Sequence, residues 1–202
     1  MMFYLNYHFA VRKEYYKLFT IGYVLCALAF LTKGLPALYL QAVSLIAALG
    51  LHRKWRELIS LPHLAGLSAF LLFVGGYFYL YSLQANPFPF IKQLVSETLI
   101  GSAYSSLEIF RHIISFPAKN IISFSVVGLL LPLVFIRSYF ITIMKSRELT
   151  YLLLIISLGS IAFLSSPFFQ GYYILMIVPL YVDLILHLVG IFRHSKLRTA
   201  AI

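Results

Sequence analysis

The chain is 202 residues long, 61% of them hydrophobic and only 11% charged, with a formal charge of +10 at pH 7. Soluble domains run nearer half apolar and a quarter charged, so the composition excludes an ordinary soluble domain and points to an integral membrane protein. At roughly 20 apolar residues per span the length suits one bundle of membrane helices, and the surplus cations read as orienting charges on cytoplasmic loops rather than a nucleic-acid surface.

Residues 1–17 mix Tyr4, Tyr7, Phe9, Tyr15 and Tyr16 with Arg12, Lys13 and Lys17. Rings at headgroup level and cations facing anionic lipid make this an interfacial segment, and its abrupt start also suits the tail of a preceding helix. Cations ahead of an apolar run resemble a signal peptide. No small-x-small cleavage site follows and hydrophobic runs continue throughout, so a retained first span fits better.

Apolar runs follow at 18–31, which is short for a span, and 35–51. Between them, Leu31-Thr32-Lys33-Gly34-Leu35-Pro36 sets one cation at a turn, at a membrane face or in a protein-lined cavity. Gly34 frees the backbone there, and Pro36 suits the first turn of a new helix, where its missing N–H costs nothing. Cys26, the only cysteine, reads as a small buried hydrophobe and excludes an internal disulfide or CxxC site. Gly50 is a plausible helix stop, followed by the basic loop 52–57 with Trp55 at the interface. The third run, 58–83, holds Pro62, His63 and the Gly75-Gly76 pair, which suits close helix contact or a bend, and ends in an aromatic belt at 77–81.

Residues 84–119 form the longest stretch with polar character. Its opening, Asn86-Pro87-Phe88-Pro89-Phe90, is expected to forbid regular helix. Segments 91–100 and 107–114 each suit an amphipathic helix lying on the bilayer. Three more runs follow at 120–136, 149–164 and 172–192, separated by a basic loop at 137–148 and a turn at 165–171, with a basic tail at 193–202. Asp183 is the sole carboxylate within a run, and His187 lies on the same helical face four residues on. The histidines never fall at metal-ligand spacing, so no metal site is expected from this chain alone.

If the runs alternate across a bilayer, one face carries every Lys and Arg except Lys33, Lys92, Arg111 and Lys119. That bias makes the face cytoplasmic, with both termini inside. The Lys33 turn, the loop 84–119 and the turn 165–171 then share the outer face. The expected fold class is all-α: a polytopic transmembrane helix bundle of about six membrane segments with one longer extracytoplasmic loop, residues 1–202 forming a single transmembrane domain.

On these residues the chain resembles a known family. Leu28-Ala29-Phe30-Leu31-Thr32-Lys33-Gly34-Leu35-Pro36 is similar to the FLTKG signature of multi-span GT-C glycosyltransferases, which include the lipid A aminoarabinose transferases and protein O-mannosyltransferases. The segment 56–63 followed by Gly75-Gly76-Tyr77-Phe78 resembles the family's next span. Phe116-Pro117 ahead of Leu131-Pro132, and Ser166-Pro167 ahead of Tyr173-Ile174-Leu175-Met176 and Pro179-Leu180, match later motifs in the same order. The resemblance implies glycosyl transfer from a polyprenyl-phosphate sugar to a lipid or surface-glycan acceptor at the extracytoplasmic face of the bacterial inner membrane. It assigns Lys33 and Tyr173 to the lipid phosphate, and leaves a divalent cation open for the intact enzyme. Departures accompany it. The family's early spans and acidic first loop are missing, no paired carboxylates occur, and Tyr172 stands where an arginine is usual. The chain thus reads as the C-terminal part of a larger membrane domain or a degenerate relative, with its catalytic residues unknown.

Alternatives stand beside each assignment. Lys33 also suits a snorkelling cation at a helix end. Glu97, Arg111 and His112 either line the outer cavity or face solvent from an interfacial helix, and Glu108 with Arg111 can simply pair with one another. Asp183 with His187 suits a structural pair as well as a functional one. A small membrane transporter, for which Asp183, His187 and Gln41 would supply the polar path, and a non-catalytic scaffold subunit are the rival functions.

Overall fold

A computed structural model describes residues 1–99, 111, 137–164 and 178–199. All regular structure among them is helical, as lipid-embedded backbone requires of a chain without a closed barrel. The chain divides into two compact units, Met1–Ala103 and Tyr104–Ile202.

The first unit contains α1 (Met2–Arg12), α2 (Tyr15–Lys33), α3 (Leu35–Leu51), a 3-10 turn (Trp55–Ile59), α4 (Leu61–Ser82) and α5 (Phe88–Leu99). Helix α2 is central: α1 and α3 pack on it and on each other, and α4 runs along it. The N-terminal segment is therefore more than an interfacial strip. Phe3, Asn6 and Ala10 recur at helical spacing and are all buried, which docks α1 into the unit.

The α2–α4 pair rests on Gly66. A Cβ built there would lie 2.7 Å from the Cβ of Phe19 and 2.8 Å from its carbonyl carbon and oxygen. Only a residue without a side chain lets the two backbones meet this closely. One turn on, Phe70 closes over Cys26 and Ala27, with Tyr23, Phe30 and Val74 around them. At Gly75-Gly76, which suits close contact or a bend, a Cβ at either position meets nothing within 4 Å among the described residues.

Two helices, Tyr15–Lys33 and Leu61–Ser82, are long and apolar enough to cross a membrane. At about 1.5 Å per residue, α4 reaches roughly 33 Å, matching a hydrocarbon core of about 30 Å. Few of its residues are buried, whereas the core helix of a soluble domain is mostly buried. Leu71 and Leu72 are 60% and 77% exposed, and Leu64, Leu67, Phe73 and Leu80 face outward with them. Such a column of large apolar side chains calls for an apolar surrounding. Helices α3 and 178–188 are apolar but shorter.

Two helix ends share one build. At the end of α1, Lys13 N–H donates to Ala10 O and Glu14 N–H to Phe9 O; at the end of α3, Arg53 N–H donates to Gly50 O and Lys54 N–H to Leu49 O. Both are Schellman motifs. Their left-handed position, usually glycine, holds Lys13 at φ 59° and Arg53 at φ 54°. Gly50 is thus not the stop of α3, which runs on to Leu51; instead Trp55 lies over it, its ring carbon Cζ2 2.9 Å from where a Cβ would be.

Helix α5 starts inside the stretch expected to be irregular. Asn86 Oδ1 accepts from Phe88 N–H at 3.0 Å, and Pro89 falls in the first turn, where a missing N–H leaves nothing unpaired. Phe90 then packs on Phe78 and Tyr81.

The second unit contains α6 (Arg137–Lys145), α7 (Arg147–Leu164) and α8 (Val178–Thr199). The segment expected as a loop at 137–148 is mostly helix. Its break is at Ser146, whose Oγ accepts from Leu149 N–H and starts α7, while Thr150 Oγ1 donates back to Ile143 O at 2.9 Å. Tyr151, Leu152 and Ile155 of α7 and Leu180, Leu184 and Leu188 of α8 are buried, and the two helices pack together. The basic tail continues α8 as far as Thr199. The run 120–136, the segment 107–114 apart from Arg111, and the turn 165–171 lie outside the described residues.

Two outcomes follow in unfolding experiments in neutral detergent. Gly66→Ala is expected to cost about 1–3 kcal/mol, because the backbone of α2 must move rather than a flexible tip. Lys13→Gly and Arg53→Gly are each expected to raise stability by about 1 kcal/mol by removing a left-handed residue that carries a Cβ. Unchanged stability in all three would contradict the close contact and both turns.

Candidate functional site

The turn that the sequence singled out is built as its residues require. Gly34 closes α2 by donating its N–H to Phe30 O at 2.7 Å and opens α3 at φ 70°, ψ −145°, a conformation open in practice only to glycine. Pro36 lies in the first turn of α3. Cys26 is buried and its thiol donates to Ala37 O at 3.6 Å, tying α2 to α3 just past the turn. Lys33 is the last residue of α2, exposed, where the helix dipole favours a cation.

The ends of the unit differ in charge. The antiparallel α2–α3 hairpin brings the α1–α2 and α3–α4 connections to the same end, where Tyr7 and His52 make a ring contact at 6.2 Å. Arg12, Lys13, Lys17, Arg53, Lys54 and Arg56 gather there, all exposed. Lys33 lies at the opposite end, from which α5 with Lys92 sets out.

Inside the unit is a polar junction of three helices. Asn6 of α1 donates from Nδ2 to both Gln41 Oε1 and Ser44 Oγ of α3, at 2.9 Å each, and all three residues are buried. Among the described residues, Asn6 Oδ1 and Gln41 Nε2 have no hydrogen-bond partner. Both crowd against Gly22 of α2, 2.7 and 2.8 Å from where its Cβ would be. The sequence reading named Gln41 but missed Asn6. The signal was there, since Asn6 shares the helical face of Phe3 and Ala10.

A second polar group joins α2 to the start of α4. His63 Nδ1 is 2.5 Å from Leu58 O, an atom that can only accept, so Nδ1 carries the hydrogen. Its Nε2 is hydrogen-bonded to the Tyr23 hydroxyl at 2.7 Å. Phe19 flanks the same ring at 4.8 Å between centroids. In the second unit, His187 Nδ1–H is shared between Asp183 O at 3.0 Å and the Asp183 carboxylate at 3.2 Å. The expected contact between the two is present, within one turn of α8.

Glu97 belongs to α5, its side chain outside what is described; Arg111 is described by itself and exposed; Tyr173 and His112 lie outside the described residues. Among the described residues no three His, Cys, Asp or Glu side chains converge as a metal site, so none of them is assigned a divalent cation. Comparison with protein-family models, with curated proteins and with solved structures finds no match to this chain.

The polar junction gives a direct test. Asn6→Ala removes the donor shared by Gln41 and Ser44 and is expected to lose about 1–2 kcal/mol in detergent unfolding. In a double-mutant cycle, Asn6→Ala with Ser44→Ala is expected to be non-additive, as residues sharing a bond are. Simple additivity would mean that the bond does not form.

Proposed function

We propose that the chain is a multi-span protein of a bacterial inner membrane with both termini in the cytoplasm, and that it is the C-terminal part of a GT-C-type glycosyltransferase membrane domain. In this reading about six segments cross the bilayer, and a polyprenyl-phosphate-linked sugar is the donor to a lipid or surface-glycan acceptor outside. The observation that carries it is the position of Lys33: at the end of a membrane-length helix, on a glycine-dependent turn, opposite the end that gathers Arg12, Lys13, Lys17, Arg53, Lys54 and Arg56. By the charge rule the crowded end faces the cytoplasm, so the Lys33 turn faces outward.

The role of Lys33 in this proposal is electrostatic. An ammonium on a flexible stem at the lipid–water boundary can follow a phosphate oxygen as negative charge builds on the leaving carrier. Tyr173 would assist, and Glu97, Arg111 and His112 would border the acceptor entrance. The rival reading as a small transporter draws on one observation, the buried Asn6–Gln41–Ser44 junction with an unpaired donor and acceptor. Substrate flux into liposomes containing the purified chain would favour it.

Sidedness and binding test the main reading. With buried Cys26 as the only native thiol, Lys33→Cys is expected to react with a membrane-impermeant maleimide added outside spheroplasts, and Lys54→Cys only after permeabilisation. The reverse pattern would end the proposal. Lys33→Ala is expected to weaken binding of undecaprenyl phosphate to the purified chain by about tenfold or more, the scale of one charge-assisted contact.

A further inference from the structure

The two left-handed turns sit at the same end of the first unit, and each spends a strained position on a cation. Glycine would relieve both, yet Lys13 and Arg53 occupy them, and an observed strain of this kind points to a use. Arg12, Lys17, Lys54 and Arg56 surround them, against two carboxylates, Glu14 and Glu57. Glu14 is already engaged: Lys17 Nζ lies 2.8 Å away, and that hydrogen bond holds its carboxyl below the usual range. The first turns of α2 and α4 open at this end too, adding the positive poles of two helix dipoles.

The surroundings decide what kind of anion fits. Immediately beside the cations Trp55 is 51% exposed, and Ile59 and Leu61 are 91% and 74% exposed, leading onto the apolar flank of α4. A soluble anion or an acidic peptide would leave that flank in water. An occupant anionic at its head and apolar along its length covers both. We propose that this end is a docking surface for anionic phospholipid, with Lys13 and Arg53 held by the two Schellman turns as ligands for the headgroup phosphate. Each turn fixes its backbone by two hydrogen bonds, so the charges are pre-placed rather than carried on a loose tail. The inference rests on the reading of the chain as membrane-embedded, and it concerns the end opposite Lys33.

Trp55 is the only tryptophan and reports on this surface. The full chain, reconstituted in phosphatidylcholine bilayers, is titrated with brominated phosphatidylglycerol or brominated phosphatidylcholine at equal mole fraction. Phosphatidylglycerol is expected to quench Trp55 more strongly, with a preference that falls as salt rises. The pair Lys13→Gly and Arg53→Gly is expected to lower that preference by about tenfold or more while the variant unfolds later than wild type in neutral detergent. Lys13→Gln with Arg53→Gln is expected to lose the preference without the gain in stability. Lys33→Gln is expected to keep it. Equal quenching by the two lipids, or full preference in either double variant, overturns the inference. Loss of preference in Lys33→Gln overturns it too. Alkaline carbonate separates the two readings: a chain that washes off the membrane defeats the membrane reading itself, whereas a retained chain with equal quenching defeats only the phospholipid surface.

Discussion

The approach of Gly66 to the backbone of Phe19 is the contact on which the first unit depends. Within a bilayer, lipid tails solvate leucine as well as another helix does, so apolar surface alone gives no reason for α4 to stay on α2. What holds such a pair is density of contact, and density requires a missing side chain at the crossing. Gly66 provides it, and Phe70 then fits over Cys26 and Ala27 one turn later. The rest of α4 is free to present Leu64, Leu71 and Leu72 outward. One side of the helix is specified by shape, and the others by solubility in hydrocarbon.

The opposite side of α2 is secured by different physics. There the pieces are an amide, a second amide and a hydroxyl, brought together by Asn6, Gln41 and Ser44 in a place with no water to compete. Gly22 makes room for them as Gly66 makes room for Phe19. Helix α2 is thus flanked by two small-residue sites with opposite chemistry, apolar toward α4 and polar toward α1 and α3. The partnership of α1 with the unit is specific because a hydrogen bond has one correct register, whereas a greasy face has several.

What could be read in advance was local. The Gly34–Pro36 turn followed from two residues with fixed backbone preferences, and the structure builds it that way. The opposed charge of the two ends in the first unit followed from composition plus alternation. What could not be read depended on register between helices. Gly75-Gly76 suited close contact or a bend, whereas among the described residues Gly66 is the glycine that is covered, because only the facing helix decides which one is. Pro89 misled for a related reason: proline blocks a helix interior but suits its first turn, and the sequence did not say which place it would take. Lys13 and Arg53 looked like ordinary loop cations, since a left-handed turn is announced by glycine or asparagine and neither is there. For the candidate site, Lys33 was legible as a turn residue, and its companions rest on distant segments that local pattern does not join.

The imidazole at the foot of α4 has a consequence of its own. With one nitrogen bonded to Leu58 O and the other to the Tyr23 phenol, His63 is held at both ends of its ring. It behaves as a mortise joint between α2, the 3-10 turn and α4. One side chain thereby fixes where the foot of α4 meets α2, and the 3-10 turn is fastened to both.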